Sequence, residues 1–218
     1  MKKVKTRNIF LVVLACGIFV LAGCGGSNST SSTQTSTTIA VPASTQAAVT
    51  LTEQPVPAFS SSQASSSDIP DSQVFVTYAS SPGKYQFDVP EGWARTTNAT
   101  GVSFLSNLNA LQVTLTKASA QPTANSVSTN QAVTLQQSGR AVRDVKIQEV
   151  QLPNGPAVLI TYTSNSDPNS VTGKQVRLEN NSYLYFKNGM LATLTLSAPV
   201  GADNVDQWAR ISHSFKWM

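Results

Sequence analysis

Three groups of residues in this 218-residue chain could do chemistry. The first is Cys24, which ends the run Leu21-Ala22-Gly23-Cys24. Its thiolate is a nucleophile, and the small side chains before it leave a processing enzyme room to grip the backbone. The second surrounds His213, the only histidine, with Asp206 seven residues earlier on about the same helical face and Asp203 a turn before that. Imidazole beside carboxylate is what general acid–base work needs. Asp206 also stands four residues before Arg210, however, an ordinary ion-pair spacing on a helix. No Gly-x-Ser-x-Gly elbow, phosphate loop or zincin helix accompanies the histidine, so a solvated helix face is expected. The third is Asn165-x-Asp167-x-Asn169, with the oxygen spacing of a calcium loop. Its sixth position is Ser170 where glycine permits the turn, and its twelfth is Val176 where a bidentate glutamate belongs, so a polar loop is expected. No catalytic, cofactor-binding or metal-binding residue is therefore assigned, and Cys24 alone is, as a lipid acceptor.

That assignment depends on what precedes the cysteine. Lys2, Lys3, Lys5 and Arg7 are followed by an apolar run from Ile9 to Ala22. The run is shorter than the ~18–20 residues that cross a hydrocarbon core as a helix, and it fits the apolar region of a signal peptide. Leu21-Ala22-Gly23-Cys24 resembles the lipobox of bacterial lipoproteins, which implies cleavage before Cys24 and diacylglycerol on its thiol. Two or three acyl chains of the palmitate kind, at ~0.8 kcal/mol per buried methylene, anchor a protein almost irreversibly. The expected location is the extracytoplasmic face of a cell membrane. Gly25 is not the aspartate that often retains lipoproteins at the inner membrane of two-membrane bacteria.

Composition narrows the classes further. The formal charge is +4, but removing the four N-terminal cations leaves 11 basic against 11 acidic residues. A neutral mature chain offers no clustered positive field, which argues against nucleic acid as a partner. Cys16 falls in the removed segment, so Cys24 has no thiol to pair with and no cysteine metal site can form. From Gly25 to about Pro70 the chain is low in complexity and rich in Ser, Thr, Gln, Ala and Pro, with Glu53 and Asp68 its only charges. So few apolar side chains cannot offset the entropy of ordering, and a disordered tether is expected over 24–70, with a mean span of ~35–40 Å and a stretched reach of about 150 Å. Ser/Thr-rich stalks of this kind are commonly glycosylated.

Residues 71–218 read as one α+β domain. Tyr85, Phe87 and Val89 alternate with polar residues before Pro90-Glu91-Gly92, as do Leu111, Val113 and Leu115 further on, with a shorter strand near Val102 to Leu105. Val145 and Ile147 alternate, then the period slips at Gln148-Glu149 before Val150 and Leu152, which predicts a bulge there. Asn154-Gly155 and Asn188-Gly189 each predict a type I′ hairpin. Ser128-x-x-Gln131 has capping-box form, stapled by Val127 and Ala132 and ended by Gly139. A last helix capped by Asp203 should bury Val205, Trp208, Ile211 and Phe215.

Tyr85-Gln86-Phe87-Asp88-Val89-Pro90-Glu91-Gly92-Trp93 resembles the opening of PsbP-like domains, whose fold is shared with the Mog family of Ran-binding proteins. The ending, from Tyr185-Phe186-Lys187-Asn188-Gly189 through Ala198-Pro199 to Ser214-Phe215-Lys216-Trp217, is similar as well. The resemblance covers roughly residues 75–217 and implies an antiparallel sheet with helices packed on it, an α/β/α sandwich. Relatives include photosystem II extrinsic subunits and exported lipoproteins such as the mycobacterial LpqN type. The matching residues are fold residues, so no photosystem or metal site transfers, and Trp93 and Trp217 read as core residues.

The expected function is that of an anchored, non-catalytic binding or assembly module in the cell envelope, its partner a protein or small ligand. A photosystem II accessory subunit and a cell-envelope hydrolase are the alternatives. The first needs a photosynthetic host, and the second a cleft where carboxylates or His213 converge.

Overall fold

The computed structural model describes residues 53–218; Cys24, the signal segment and the tether up to residue 52 lie outside them. The elements in chain order are α1 (Ser61–Ser65), β1 (Phe75–Ser80), β2 (Tyr85–Pro90), β3 (Ala94–Asn98), β4 (Gly101–Ser106), β5 (Asn109–Lys117), α2 (Ala124–Thr129), α3 (Gln131–Ser138), β6 (Arg143–Leu152), β7 (Gly155–Asn165), β8 (Arg177–Lys187), β9 (Met190–Pro199), α4 (Val205–Ser214) and β10 (Lys216–Trp217). Seven strands form one antiparallel sheet in the order β3-β4-β5-β9-β8-β7-β6. Neighbours follow one another in sequence except β5 and β9, which pair from Ala110↔Ser197 to Lys117↔Met190. Helices α2 and α3 carry the chain from the middle of the sheet to its far edge, and β6 to β9 step back to meet β5.

Alternation decides what each face buries. Leu111, Val113, Ala157, Leu159, Tyr183, Tyr185, Leu194 and Leu196 point to one face, where the small sheet β1-β2-β10 and helix α4 cover them with Tyr85, Phe87, Trp208, Ile211 and Phe215. Val158, Ile160, Leu184 and Leu191 point the other way, under Val127 of α2 and Leu135 of α3. The antiparallel sheet carries helices on both faces, with the small second sheet beside α4 as an addition the sequence did not announce.

The period slip in β6 has a different cause from the bulge expected at Gln148-Glu149. Lys146 to Leu152 pair with Thr161 to Gly155 without interruption, and the shift in register lies between Arg143 and Lys146, where Asp144 has φ +57°. Val145 and Ile147 pack under the helices, whereas Val150 and Leu152 pack into the core on the opposite face. The edge strand is covered on one face at its start and on the other at its end, so its apolar residues change parity without a bulge at Gln148-Glu149.

Two turn and cap expectations are met and three are revised. Asn188 and Gly189 have φ +49° and +78°, the type I′ signature, between the paired Lys187 and Met190. The other hairpin closes at Leu152↔Gly155, but Asn154 is not left-handed, and Pro153, whose ring fixes φ near −65°, precludes the mirror-image turn. Thr123, not Ser128, caps α2: its hydroxyl accepts from the Ser126 amide at 3.2 Å, and the Ser126 hydroxyl accepts from the Thr123 amide at 2.9 Å. Ser128 instead donates back to the Asn125 carbonyl at 2.8 Å, which is what a mid-helix serine does. Gly139 ends α3 as expected, though with φ −81°; a Cβ there would stand 2.5 Å from the Leu135 carbonyl oxygen. In α4 the N-cap is Asn204 instead of Asp203, and Val205 is 73% exposed while Trp208, Ile211 and Phe215 are buried.

The tether boundary at residue 70 also differs, because residues 53–71 lie against the strand ends of the domain. Asn165 holds the start of this segment: its Oδ1 accepts from the Val56 amide at 3.0 Å, and its Nδ2 donates to Glu53 Oε1 at 2.9 Å and to the Gln54 carbonyl at 2.8 Å. Gln175 also donates to Glu53, at 2.7 Å, and Arg140 stands 3.3 Å from it. Further along, Ala64 and Ile69 are buried, Asn109 donates to the Ser67 carbonyl at 2.8 Å, and the Ile69 amide donates to Asn204 Oδ1 at 2.6 Å. Composition concealed this because backbone groups bonded to Asn109, Asn165 and Asn204 hold much of the segment, and its buried apolar residues, Ala64 and Ile69, follow no strand or helix period. The partners of Glu53 hold its carboxyl below its ordinary pKa, Asn165 first among them. Its contribution is therefore present above the unfolded carboxyl value of ~4.3 and is lost as pH falls through the lower folded value. Asn165→Ala is expected to cost about 2–3 kcal/mol, since it removes the bonds to Val56, Glu53 and Gln54 and one of those made by buried Arg177, and to expose residues 53–70 to limited proteolysis.

Candidate ligand groove

Helix α4 packs on the face of the large sheet that carries Tyr183 and Tyr185, through Trp208, Ile211 and, at its C-terminal end, Phe215. Its exposed flank and β8 leave a groove of about 310 Å³. Because β8 alternates, Glu179, Asn181 and Tyr183 all point to this face and form the floor. Asn204, Val205, Trp208, Ala209 and His213 form the α4 wall, brought to one side by the helical repeat. Trp208 and Tyr183 are each only 8% exposed, so the aromatic body of the groove is set in the core while its rim is open. The Tyr185 hydroxyl donates to the Ser212 carbonyl at 2.8 Å and Phe215 stacks on the Tyr185 ring at 4.1 Å, and these two contacts fix the end of α4 over the sheet.

Among the described residues, no hydrogen bond or ion pair reaches the side chains of Glu179, Asn181, Tyr183, Trp208 or His213. Their polar atoms are open to solvent and so to a ligand, since among the described residues the buried side-chain atoms without a hydrogen-bond partner are Arg140 Nε and Trp217 Nε1. Burial pushes the Glu179 carboxyl above its ordinary pKa, and no neighbouring charge opposes that. A carboxyl whose folded pKa is raised favours folding in its protonated form, so its contribution is full below the unfolded value of ~4.3 and is lost as pH rises through the folded one. Glu179→Gln is accordingly expected to raise Tm at pH 7, by thermal unfolding, and to match the wild type near pH 3.

The residues singled out from sequence are distributed as follows. His213 is exposed and lines the groove, and its carbonyl accepts from Asn154 Nδ2 at 2.9 Å. Arg210 does not serve Asp206: its Nε stands 3.7 Å from Asp88 and its guanidinium lies 4.3 Å from the Phe75 ring centre. Asn165 Oδ1 is committed to Val56 and Arg177, and Asn169 Oδ1 accepts from the amides of Val171 and Thr172 at 3.0 Å, an ordinary Asx turn. Asp167 is exposed, 3.9 Å from Arg140 Nε, so these three residues form a loop and not a cation cage. Trp93 packs against the core, and Trp217 meets Tyr85 and Phe215 edge-on at 6.5 and 5.7 Å. Glu179, Asn181 and Tyr183 were not singled out, although their period-2 spacing ahead of Tyr185 was a signal that they share a face. Cys24 lies outside the described residues.

Solved structures similar to the chain include the cyanobacterial PsbP, CyanoP, of Synechocystis, at 15% identity and TM-score 0.46 over 69% of this chain and 98% of that one. The Ran-binding protein Mog1p of Saccharomyces cerevisiae matches at 9% identity and TM-score 0.46, over 67% and 96%. LpqN, described as involved in cell envelope biogenesis of Mycobacterium tuberculosis, matches at 12% identity and TM-score 0.41, over 67% and 85%. PsbP-like, Mog-like and LpqN structures are thus among its neighbours, as the sequence resemblance implied. At such identities and scores the likeness is one of architecture, and no activity or partner passes with it. No protein-family model matches the sequence, and no curated protein matches it significantly. Among the described residues no helix is long and apolar enough to cross a membrane.

Proposed function

We propose that the chain is an extracytoplasmic lipoprotein, anchored by lipid on Cys24, whose domain is a non-catalytic binding module with the α4–β8 groove as its binding site. The observation that carries the binding role is that five side chains line one groove and, among the described residues, no hydrogen bond or ion pair reaches any of them. The anchoring role is supported by the N-terminal cations, the apolar run of signal-peptide length and Leu21-Ala22-Gly23-Cys24. Val205 stands on the rim at 73% exposure, so Val205→Arg should block the groove and leave Tm within about 1 °C of wild type. Capture of an envelope ligand by the wild type but not by Val205→Arg supports this reading; equal capture by both removes the groove from it.

One observation favours hydrolysis as a second reading. Glu179, with its raised pKa, and His213 line the same groove, where a protonated carboxyl could serve as a general acid. The readings separate on turnover: a hydrolase releases product from envelope material and loses that activity in Glu179→Gln, whereas a binding module releases none.

A further inference from the structure

We propose that the α4–β8 groove holds an organic ammonium group, set against the Glu179 carboxylate and beside the rings of Trp208 and Tyr183. This rests on the groove being the binding site and names the chemistry of what enters it.

Glu179 is half-buried, and the fold supplies it with no cation. The nearby basic residues are committed elsewhere: Arg177 donates to the Ala141 carbonyl and Asn165, Arg143, two strands from Glu179 across Thr163, donates to the Val142 carbonyl, and Arg210 stands against Asp88 and the Phe75 ring. Lys146 shares this sheet face but sits two strands away, opposite Thr161, and does not line the groove. A carboxylate removed from water needs an opposite charge or several donors to remain ionised. Among the described residues none brings that charge here, and a bound ligand can.

The other walls suit the same ligand. Aromatic faces attract cations, and Trp208 and Tyr183 supply two rings beside the carboxylate. The Asn181 carbonyl and the Tyr183 hydroxyl oxygen are free to accept from N–H groups. A metal ion is poorly served, since no three His, Cys, Asp or Glu residues gather among the described ones. An anion would meet Glu179, and a neutral sugar would leave its charge unanswered. The volume of about 310 Å³ suits a small head group or the end of a side chain.

The test is a titration of the detergent-solubilised full-length protein with choline and with 3,3-dimethyl-1-butanol, its uncharged isostere. The readout is the indole N–H resonance of Trp208, assigned with Trp208→Phe. The expected result is saturable choline binding at least about tenfold tighter than the isostere, reduced by about the same factor in Glu179→Gln. The Tm of that variant, equal to or above wild type, shows that the fold is intact. Equal binding of both compounds, unaffected by Glu179→Gln, overturns the ammonium proposal and leaves the groove as a site for neutral ligands. No response to either compound at Trp208 overturns the ammonium proposal, and the Val205→Arg capture experiment then decides separately whether the groove is a binding site.

Discussion

Phe215→Ala is expected to destabilise the domain by ~3–5 kcal/mol, a fall in Tm of roughly 10–15 °C for a domain of this size. Phe215 is 1% exposed and joins three parts of the fold. It stacks on Tyr185 of the large sheet at 4.1 Å and on Tyr85 of the small sheet at 5.7 Å, and it ends α4, the wall of the groove. Each aromatic pair adds about 0.5–1.5 kcal/mol beyond area burial, so truncation to alanine removes several pairs and leaves a cavity that rigid β-strands cannot close. Urea unfolding followed by circular dichroism measures the loss. Tyr185→Phe is the milder control: it keeps the stack but leaves the Ser212 carbonyl without its donor, at a cost of about 1–2 kcal/mol. A Phe215→Ala cost below that of Tyr185→Phe would mean the aromatic cluster is not the joint described here.

The second large effect concerns the anchor. Cys24→Ala is expected to abolish processing and lipid attachment, leaving a precursor that incorporates no labelled fatty acid. A chain with two or three acyl groups partitions almost completely into a membrane, because their methylenes together contribute tens of kcal/mol at ~0.8 each. Replacing the thiol by hydrogen removes all of it, while Ala22 and Gly23 still offer small residues to the peptidase. Sucrose-gradient fractionation with metabolic palmitate labelling distinguishes the outcomes. Retention of label in Cys24→Ala would show the lipid to be elsewhere.

Much of the sheet was legible because its strands keep strict alternation. Tyr85 to Val89, Leu111 to Leu115 and Ala192 to Leu196 each bury one face, and period 2 shows it. Strand β3, Ala94–Asn98, was not read, because all five residues are exposed and none marks a face. Strand β6 misled for the opposite reason: its two ends bury opposite faces, so a ladder unbroken from Lys146 to Leu152 imitates a bulge at Gln148-Glu149, while the shift in register lies before Lys146. The tether boundary fell too late because asparagine amides bonded to backbone groups leave no hydrophobic trace. Of the groove, His213 was visible as a lone histidine. Glu179, Asn181 and Tyr183 were not, since an unpaired polar group is recognised only once its neighbours are known to lack partners for it.

The central claim, an anchored module that binds through the α4–β8 groove, is tested most directly by site-specific photocrosslinking in intact cells of the native host. The crosslinker replaces Val205, on the groove rim, in otherwise wild-type protein and in a Cys24→Ala strain, and captured material is identified by mass spectrometry. The account predicts one reproducible envelope adduct at Val205 that is lost when Cys24 is replaced and absent when the crosslinker sits at Val171, which is 90% exposed in the loop between β7 and β8. An adduct from Val171 but none from Val205, or the same adduct whether or not Cys24 is present, would contradict it.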